Sequence, residues 1–238
     1  MNKQVELPKE TWTIKDIIII FIIWFFLTGF YEMTHQLVFE DSPFLTQSIH
    51  YLFFITIRLL FIPIAIYLFC FRTSRSVQDI GLTLDKISKM LKIGLKVSWP
   101  LMPMTLFLIH LPLVYTEANL RPMYEATSPD KIAISLVFFI ILFFMSIIPS
   151  LAEEVLFRGI TFTFLSDRYS KWQALFVNAL LYAFFYSHFD IYHLGIRFTL
   201  GFFTTYLYWK TENLIPSTIL MASFHASMIL YVFGWGYW

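Results

Sequence analysis

The chain has 238 residues, of which 58% are hydrophobic, 20% are aromatic and 14% are charged. Because an average soluble domain has about 25% charged residues, this composition excludes a water-soluble globular protein and a disordered one. The net charge of +1 argues against a nucleic-acid-binding protein. The single cysteine, Cys70, excludes an internal disulfide framework and a cysteine-based zinc cluster. The composition therefore predicts a polytopic membrane protein.

Apolar segments of the length that crosses a bilayer recur along the whole chain. A helix of about 20 apolar residues is long enough to span. The pattern predicts an all-α, polytopic membrane helix bundle with about eight transmembrane or half-immersed helices. The candidate segments are residues 17–31, 51–71, 93–115, 132–148, 151–169, 172–188, 195–209 and 215–234. Prolines at 100, 103 and 112 are expected to bend the third segment, and Pro149 to end the fourth.

The charged loops predict the orientation in the membrane. Residues 72–92 contain five lysines and arginines, and their 84–91 part is expected to form a short surface helix. Residues 32–50 contain acidic residues and no lysine or arginine. The positive-inside rule then places the N-terminus and the loop of residues 72–92 in the cytoplasm, and the loop of residues 32–50 outside. We expect a multi-pass protein of the cell membrane, in contact with lipid, and the composition fits a bacterial plasma membrane.

The densest cluster of ionisable residues lies in the apolar segment 151–169. Charged side chains are costly inside a membrane, so each one there is a candidate for function. Glu154 and Arg158 are four residues apart, which predicts an ion pair on one helix face. Glu153 points about 100° away from Glu154 and is expected to lack an adjacent cation. An isolated buried carboxylate of this kind suits a general base working near neutral pH.

Two histidines follow in later apolar segments. His188 ends one segment and His225 lies in the middle of the last. Glu153, His188 and His225 could position a water molecule, or they could form a zinc site with two histidines and one glutamate. The residue pattern leaves both alternatives open, although the helix-borne HExxH zinc motif is missing. No chemistry is predicted for Arg58, which is expected to face a lipid headgroup or an acidic side chain, or for Arg197, which is expected to reach the interface.

Together these residues resemble a known family. Glu153-Glu154-x-x-x-Arg158, Phe184-x-x-x-His188 and His225 are similar, in order and spacing, to the three motifs of the CPBP (CAAX protease and bacteriocin-processing, or Abi) intramembrane endopeptidases. The resemblance covers residues 132–231 approximately. It implies a catalytic helix core at residues 132–238, in one membrane unit with the N-terminal helices and amphipathic cytoplasmic loop of residues 1–131.

The resemblance also implies roles for the motif residues. Glu153 and His188 would activate water, His225 would help to stabilise the oxyanion, and Glu154 and Arg158 would be structural. Phe184 is expected to support the His188 helix by packing. The better-studied members are metal-independent, so the resemblance implies no cofactor. The substrate would be a membrane-associated protein or peptide, such as a bacteriocin-type peptide, a signalling peptide or a lipid-anchored tail.

The chain departs from the family pattern at Ile229. The family commonly has asparagine four residues after the last histidine, as a second oxyanion donor, and such a donor is worth about 10²–10³ in rate. Asn178, Ser223 and Ser227 are candidates to replace it, although none has the same helical offset. The difference favours a second hypothesis, a non-catalytic CPBP-like membrane partner that acts in bacteriocin self-immunity or regulates a sensor kinase.

The depth of the site gives a prediction about topology. Glu153 and His188 reach a similar depth if Pro149 and Ser150 begin a separate helix, because residues 151–167 and 172–188 then rise and fall by about 25 Å each. This arrangement places the turn at residues 167–171 outside and the catalytic groups nearer the cytoplasmic leaflet.

Overall fold

The structure is a computed structural model that describes residues 12–34, 44–71, 73, 75–115, 129–186 and 191–235. Within these ranges, side chains are described except at 31–34, 44–54, 105–115, 129–139, 192–193 and 228–235. The described part of the chain is helical and contains no β-strand, which confirms the predicted all-α class.

Seven long α-helices account for most of the described residues. They are α1 (Ile14–Thr34), α2 (Phe44–Ile66), α3 (Ile87–Tyr115), α4 (Pro129–Glu154), α6 (Lys171–Tyr186), α7 (Ile191–Thr211) and α8 (Leu214–Trp235). Three shorter elements join or extend them: the π-helices Tyr67–Phe71 and Val155–Phe162, and the 3₁₀ turn Val77–Ile80. A single α-helical turn, α5 (Thr163–Ser166), ends the second π segment.

The predicted break at Pro149 is wrong. α4 continues through Pro149 to Glu154, and the π segment and α5 extend the same helical rod to Ser166 without interruption. A proline removes one backbone hydrogen bond, and neighbouring helices can support a helix that loses one. α4 packs extensively along α8 over this stretch. The two predicted segments 132–148 and 151–169 therefore form one rod.

The separate surface helix predicted at residues 84–91 is also wrong. α3 begins at Ile87 and runs without a break to Tyr115, so the basic turns and the apolar span belong to one helix. α3 approaches α8 closely at Gly94, where an added Cβ would lie 3.0 Å from the Pro216 carbonyl oxygen. Small residues of this kind allow helix backbones to approach within membranes.

Four turns of the chain meet at one end of the helix bundle. Arg75 pairs with Asp167, with 3.5 Å between Nη2 and Oδ2, and Arg168 donates a hydrogen bond to the Trp12 carbonyl oxygen. The Leu214 amide donates to the Gly81 carbonyl oxygen at 3.0 Å. These contacts bring four segments to the same end of the bundle: the start of α1, the 3₁₀ turn, the α5–α6 turn and the α7–α8 turn.

This shared end corrects the predicted location of the turn at residues 167–171. The sequence predicts that this turn lies outside, opposite the N-terminus and the loop before α3. The contacts of Asp167 and Arg168 place the turn beside both of those segments. The reason is the uninterrupted rod that ends at Ser166, which removes one crossing and reverses the direction of every later helix.

One helix in the described residues is long and apolar enough to cross a membrane by itself, and it spans Ile140–Ser166. Two shorter apolar stretches, Ile55–Phe71 and Leu214–Ser227, fall below that length. The eight-helix arrangement predicted from the sequence is not confirmed. The proposed division at residues 131 and 132 is untested and remains a prediction.

Candidate active site

The ion pair predicted between Glu154 and Arg158 is present at the junction of α4 and the π segment. Glu154 Oε1 and Arg158 Nη1 are 3.1 Å apart, and both side chains are fully buried. Arg158 also donates a hydrogen bond to Thr204 Oγ1 on α7, and its guanidinium lies 4.6 Å from the centre of the Tyr182 ring. The pair therefore connects the π segment to α6 and α7, and its structural role stays a prediction.

Glu153 has a different cationic partner, which corrects the prediction that it lacks one. Its Oε1 atom is 3.3 Å from Arg58 Nη1, and both side chains are almost completely buried. The Arg58 guanidinium lies 4.0 Å from the centre of the Trp24 ring. Helical spacing reveals only partners on the same helix, whereas Arg58 comes from α2, 95 positions earlier in the chain.

His225 lies beside the second oxygen of the same carboxylate. Nε2 of His225 is 3.9 Å from Glu153 Oε2, and the histidine side chain is 21% exposed. On the other side of the ring, Nδ1 is 3.2 Å from Ser150 Oγ. If Ser150 donates to Nδ1, a neutral imidazole carries its proton on Nε2, the nitrogen that faces Glu153.

A second arginine lies near these groups. Arg197 Nη1 donates to the Tyr182 hydroxyl at 3.3 Å, and the guanidinium lies 5.4 Å from the centres of the Tyr186 and Phe224 rings. The expectation that Arg197 reaches the interface is therefore wrong: it points among aromatic side chains of α6 and α8. The aromatic rings accept the cation by cation–π contact.

The roles predicted for His188 and Phe184 are not tested by the described part of the structure. His188 lies outside the described residues, so its position relative to Glu153 and His225 stays a prediction. Phe184 is on α6 and its side chain is 51% exposed, and its support of His188 stays a prediction for the same reason. Among the described residues no three histidine, cysteine, aspartate or glutamate side chains converge. The zinc alternative includes His188 and is therefore untested.

The three candidates for a replacement oxyanion donor have other partners. Asn178 Nδ2 donates to Thr205 Oγ1 at 2.8 Å, and Ser223 Oγ donates to the Ile219 carbonyl oxygen at 2.8 Å. Ser227 Oγ lies 3.6 Å from the sulfur atom of Met102. None of the three is hydrogen-bonded to Glu153 or His225 among the described contacts.

For Arg58 the expected acidic partner is confirmed, although the sequence assigned it no part in the site, and Ser150 was not predicted at all. Arg58 could have been found, because a charged residue within an apolar segment is a functional candidate by default. Ser150 gave no such signal, because serine is common in membrane helices. The π segment also begins directly after Glu154, and π turns inside helices are frequent at functional sites.

One protein-family model matches the part of the chain that contains most of these residues. Residues 135–236 match the model described as Type II CAAX prenyl endopeptidase Rce1-like. The resemblance to the CPBP family is confirmed over this Rce1-like segment. The segment covers less than half of the chain and contains Glu153, Glu154, Arg158 and His225, whereas Arg58 lies before it.

The Rce1-like match supports a hydrolase, because the family consists of membrane-embedded proteases. It does not extend to the N-terminal helices, which contribute Trp24 and Arg58 to the site. No curated protein and no solved structure matches the chain.

Proposed function

We propose that this protein is a multi-pass intramembrane endopeptidase that hydrolyses a peptide bond in a membrane-associated protein or peptide. The observation that carries the proposal is the arrangement around Glu153: one carboxylate oxygen contacts Arg58 and the other faces His225 Nε2 at 3.9 Å. This carboxylate is buried and lies within the Rce1-like segment.

In the proposed reaction Glu153 removes a proton from a water molecule that attacks the carbonyl carbon of the scissile peptide bond. His188 orients the water, and Nε2–H of His225 stabilises the negative charge on the carbonyl oxygen. The carbon–nitrogen bond then breaks, and the proton held by Glu153 passes to the leaving amine. Every group that takes part in these reaction steps belongs to the chain, the peptide or the water molecule.

Arg58 acts in this reaction as a positioning residue. Its contact with Oε1 fixes one oxygen of Glu153, which leaves the other oxygen directed towards His225. The stack of its guanidinium on Trp24 fixes Arg58 in turn. A general base must be held at the correct geometry, because a misplacement of about 1 Å can lower the rate by about 10²-fold.

The test compares cells that express the wild-type protein, Glu153→Gln or His188→Ala at equal levels. The N-termini of membrane and secreted peptides are profiled in each. New N-termini that appear only with the wild-type protein support the proposal and identify the substrate. Identical profiles, with a wild-type phenotype retained in both variants, would refute it. Metal analysis of the purified protein tests the zinc alternative at the same stage.

A second candidate function is a non-catalytic CPBP-like membrane partner, in bacteriocin self-immunity or in the regulation of a sensor kinase. The observation that favours it is Ile229, an apolar residue one helical turn after His225 on α8. A catalytically silent partner would keep its phenotype in the Glu153→Gln and His188→Ala variants. The same experiment therefore separates the two functions.

A further inference from the structure

The N-terminal turns of α3 form a groove outside the candidate active site. The groove has a volume of about 690 Å³. Four lysines and three apolar side chains line it: Lys86, Lys89, Lys92, Lys96, Leu84, Ile87 and Ile93. All four lysines are exposed. Asp85 is the only acidic residue between Leu84 and Lys96, so the groove carries an excess of positive charge.

An exposed apolar strip runs beside the lysines on the same helix. Leu91, Leu95 and Trp99 follow one another at four-residue intervals, and Trp99 is 84% exposed. The buried face of this part of α3, with Gly94 and Ser98, is turned towards α8. The outward face therefore combines a basic side with an apolar side, which is the pattern of a helix at a membrane–water interface.

The position of the groove along α3 agrees with an interfacial location. Residues 97–115, which complete the helix, contain no charged residue. The groove lies at the end of the bundle where the α5–α6 and α7–α8 turns meet the loop before α3. Tryptophan is enriched at the headgroup level of membranes, and Trp99 marks that level here.

The backbone at Lys86 is a further unusual feature of the groove. Lys86 has a φ angle of 53°, in the left-handed region that side chains other than glycine adopt at a cost. Its carbonyl oxygen accepts hydrogen bonds from the amides of Lys89 and Met90. The strained residue thus starts the turn that presents the next two lysines.

We propose that this lysine groove binds the phosphate of an anionic phospholipid headgroup in the cytoplasmic leaflet. The lysine ammonium groups complement the phosphate, and Leu95 and Trp99, at the membrane end of the exposed strip, lie beside the headgroup and the start of its acyl chains. Each lysine near an anionic membrane surface contributes about fivefold to binding. The proposal is independent of the peptidase reaction, since none of these residues contacts the Glu153 site.

The experiment uses the full chain purified in a non-ionic detergent and titrated with phosphatidylglycerol or phosphatidylcholine, with bound lipid counted by native mass spectrometry. We expect the wild-type protein to retain phosphatidylglycerol in preference to phosphatidylcholine. The triple variant K89Q/K92Q/K96Q should lose affinity for phosphatidylglycerol by about 100-fold, the product of three fivefold contributions. Because these side chains are exposed, its thermal unfolding temperature should stay within a few degrees of the wild-type value.

A matched control removes the same amount of charge elsewhere. Lys15, Lys171 and Lys210 are also exposed, and K15Q/K171Q/K210Q should retain the wild-type affinity. Unchanged binding in K89Q/K92Q/K96Q would overturn the proposal, and so would an equal loss in the control variant, which would indicate general charge attraction. Complete displacement of phosphatidylglycerol by millimolar inorganic phosphate would overturn the lipid assignment in favour of a free anion.

Discussion

Glu153 and Glu154 are adjacent in the sequence, yet they have different cationic partners and different predicted roles. Glu154 is paired with Arg158 in the fully buried interior, whereas Glu153 contacts Arg58 and faces a partly exposed histidine. Of the two carboxylates, only that of Glu153 lies beside a partly exposed group from which a water molecule could reach it. We therefore expect both substitutions to lower stability, and only the substitution of Glu153 to remove the activity of the folded protein.

Glu153→Gln keeps the size of the side chain and removes its basic oxygen. We expect the rate of appearance of the new N-termini to fall by about 10²–10⁴, the usual contribution of a general base. The free energy of unfolding should also fall, because the variant leaves the buried Arg58 guanidinium without its carboxylate, so the cleavage rate is compared per folded protein. Full cleavage by this variant would contradict the glutamate mechanism.

Glu154→Gln leaves the Arg158 guanidinium buried without its carboxylate. Breaking a buried ion pair in this way costs about 3–5 kcal/mol, so we expect a loss of this order in the free energy of unfolding measured in detergent micelles. Glu212→Gln is the matched control, because Glu212 is exposed in the α7–α8 turn, and it should change stability by about 0.5 kcal/mol or less. Equal losses in the two variants would contradict the structural role of the Glu154 pair.

Arg58→Gln removes the cation that holds one oxygen of Glu153. We expect the rate of cleavage of the identified substrate to fall by about 10- to 100-fold at saturating substrate, with little change in KM, because the base is misplaced rather than the binding site. Arg58→Lys keeps the charge and should restore part of the rate. Arg75→Gln, which removes an arginine paired with Asp167 at the end of the bundle, should cleave as the wild type does. Equal rates for Arg58→Gln and the wild type would contradict a positioning role.

The two ion pairs differ in whether the sequence alone can predict them. The Glu154–Arg158 pair follows from a four-residue spacing on one helix, so the sequence alone predicts it. The Arg58–Glu153 pair joins α2 to α4, and its two residues share no local pattern. Helical periodicity indicates which face a residue occupies, but not which other helix packs against that face.

At the scale of elements, the π segment after Glu154 packs directly on the 3₁₀ turn before α3. A Cβ atom added at Gly159 would lie 2.8 Å from the Ile80 carbonyl oxygen. The 3₁₀ turn is fixed by its own cap, in which the Ser76 hydroxyl accepts a hydrogen bond from the Gln78 amide at 2.9 Å. Neither backbone can move away easily, so this contact requires glycine.

Gly159→Ala should therefore destabilise the protein by about 1–3 kcal/mol, the usual cost of overpacking a close contact. Gly195→Ala is a matched control in another helix, since nothing lies within 4 Å of its added Cβ atom, and alanine is favoured over glycine in a helix. Thermal unfolding of both variants in detergent checks the prediction. A Gly159→Ala protein as stable as Gly195→Ala would contradict the close packing of the π segment.

The boundaries of the elements were harder to predict than their type. Proline normally disfavours a helix interior, so the sequence predicts a break at Pro149, and basic residues followed by an apolar run predict a separate surface helix before α3. Both predictions are wrong for the same reason. The packing of α3 and α4 against α8 supports continuous helices where local propensity alone predicts an interruption.

At the scale of the whole molecule, the continuous rod that replaces two predicted segments also removes a conflict between the loop charges and the positive-inside rule. With eight spans, the basic residues near the α5–α6 and α7–α8 turns oppose the positive-inside rule. With seven long helices, the turns that contain Arg168 and Lys210 lie on the same side as Trp12 and Arg75. The positive-inside rule then assigns this whole end of the bundle to the cytoplasm.

Cysteine accessibility tests this orientation. In a Cys70→Ser background, we expect Tyr169→Cys in the α5–α6 turn and Glu212→Cys in the α7–α8 turn to face the cytoplasm. Both should then react with a membrane-impermeant maleimide in inverted vesicles and not in intact cells. Tyr169 is 56% exposed, so a cysteine there is accessible from its own side. Glu40→Cys, in the acidic loop that the charge rule places outside, should show the opposite pattern and controls for vesicle sidedness. Labelling of Tyr169→Cys only from outside would restore a crossing between Glu153 and this turn, and would contradict the continuous rod from Pro129 to Ser166.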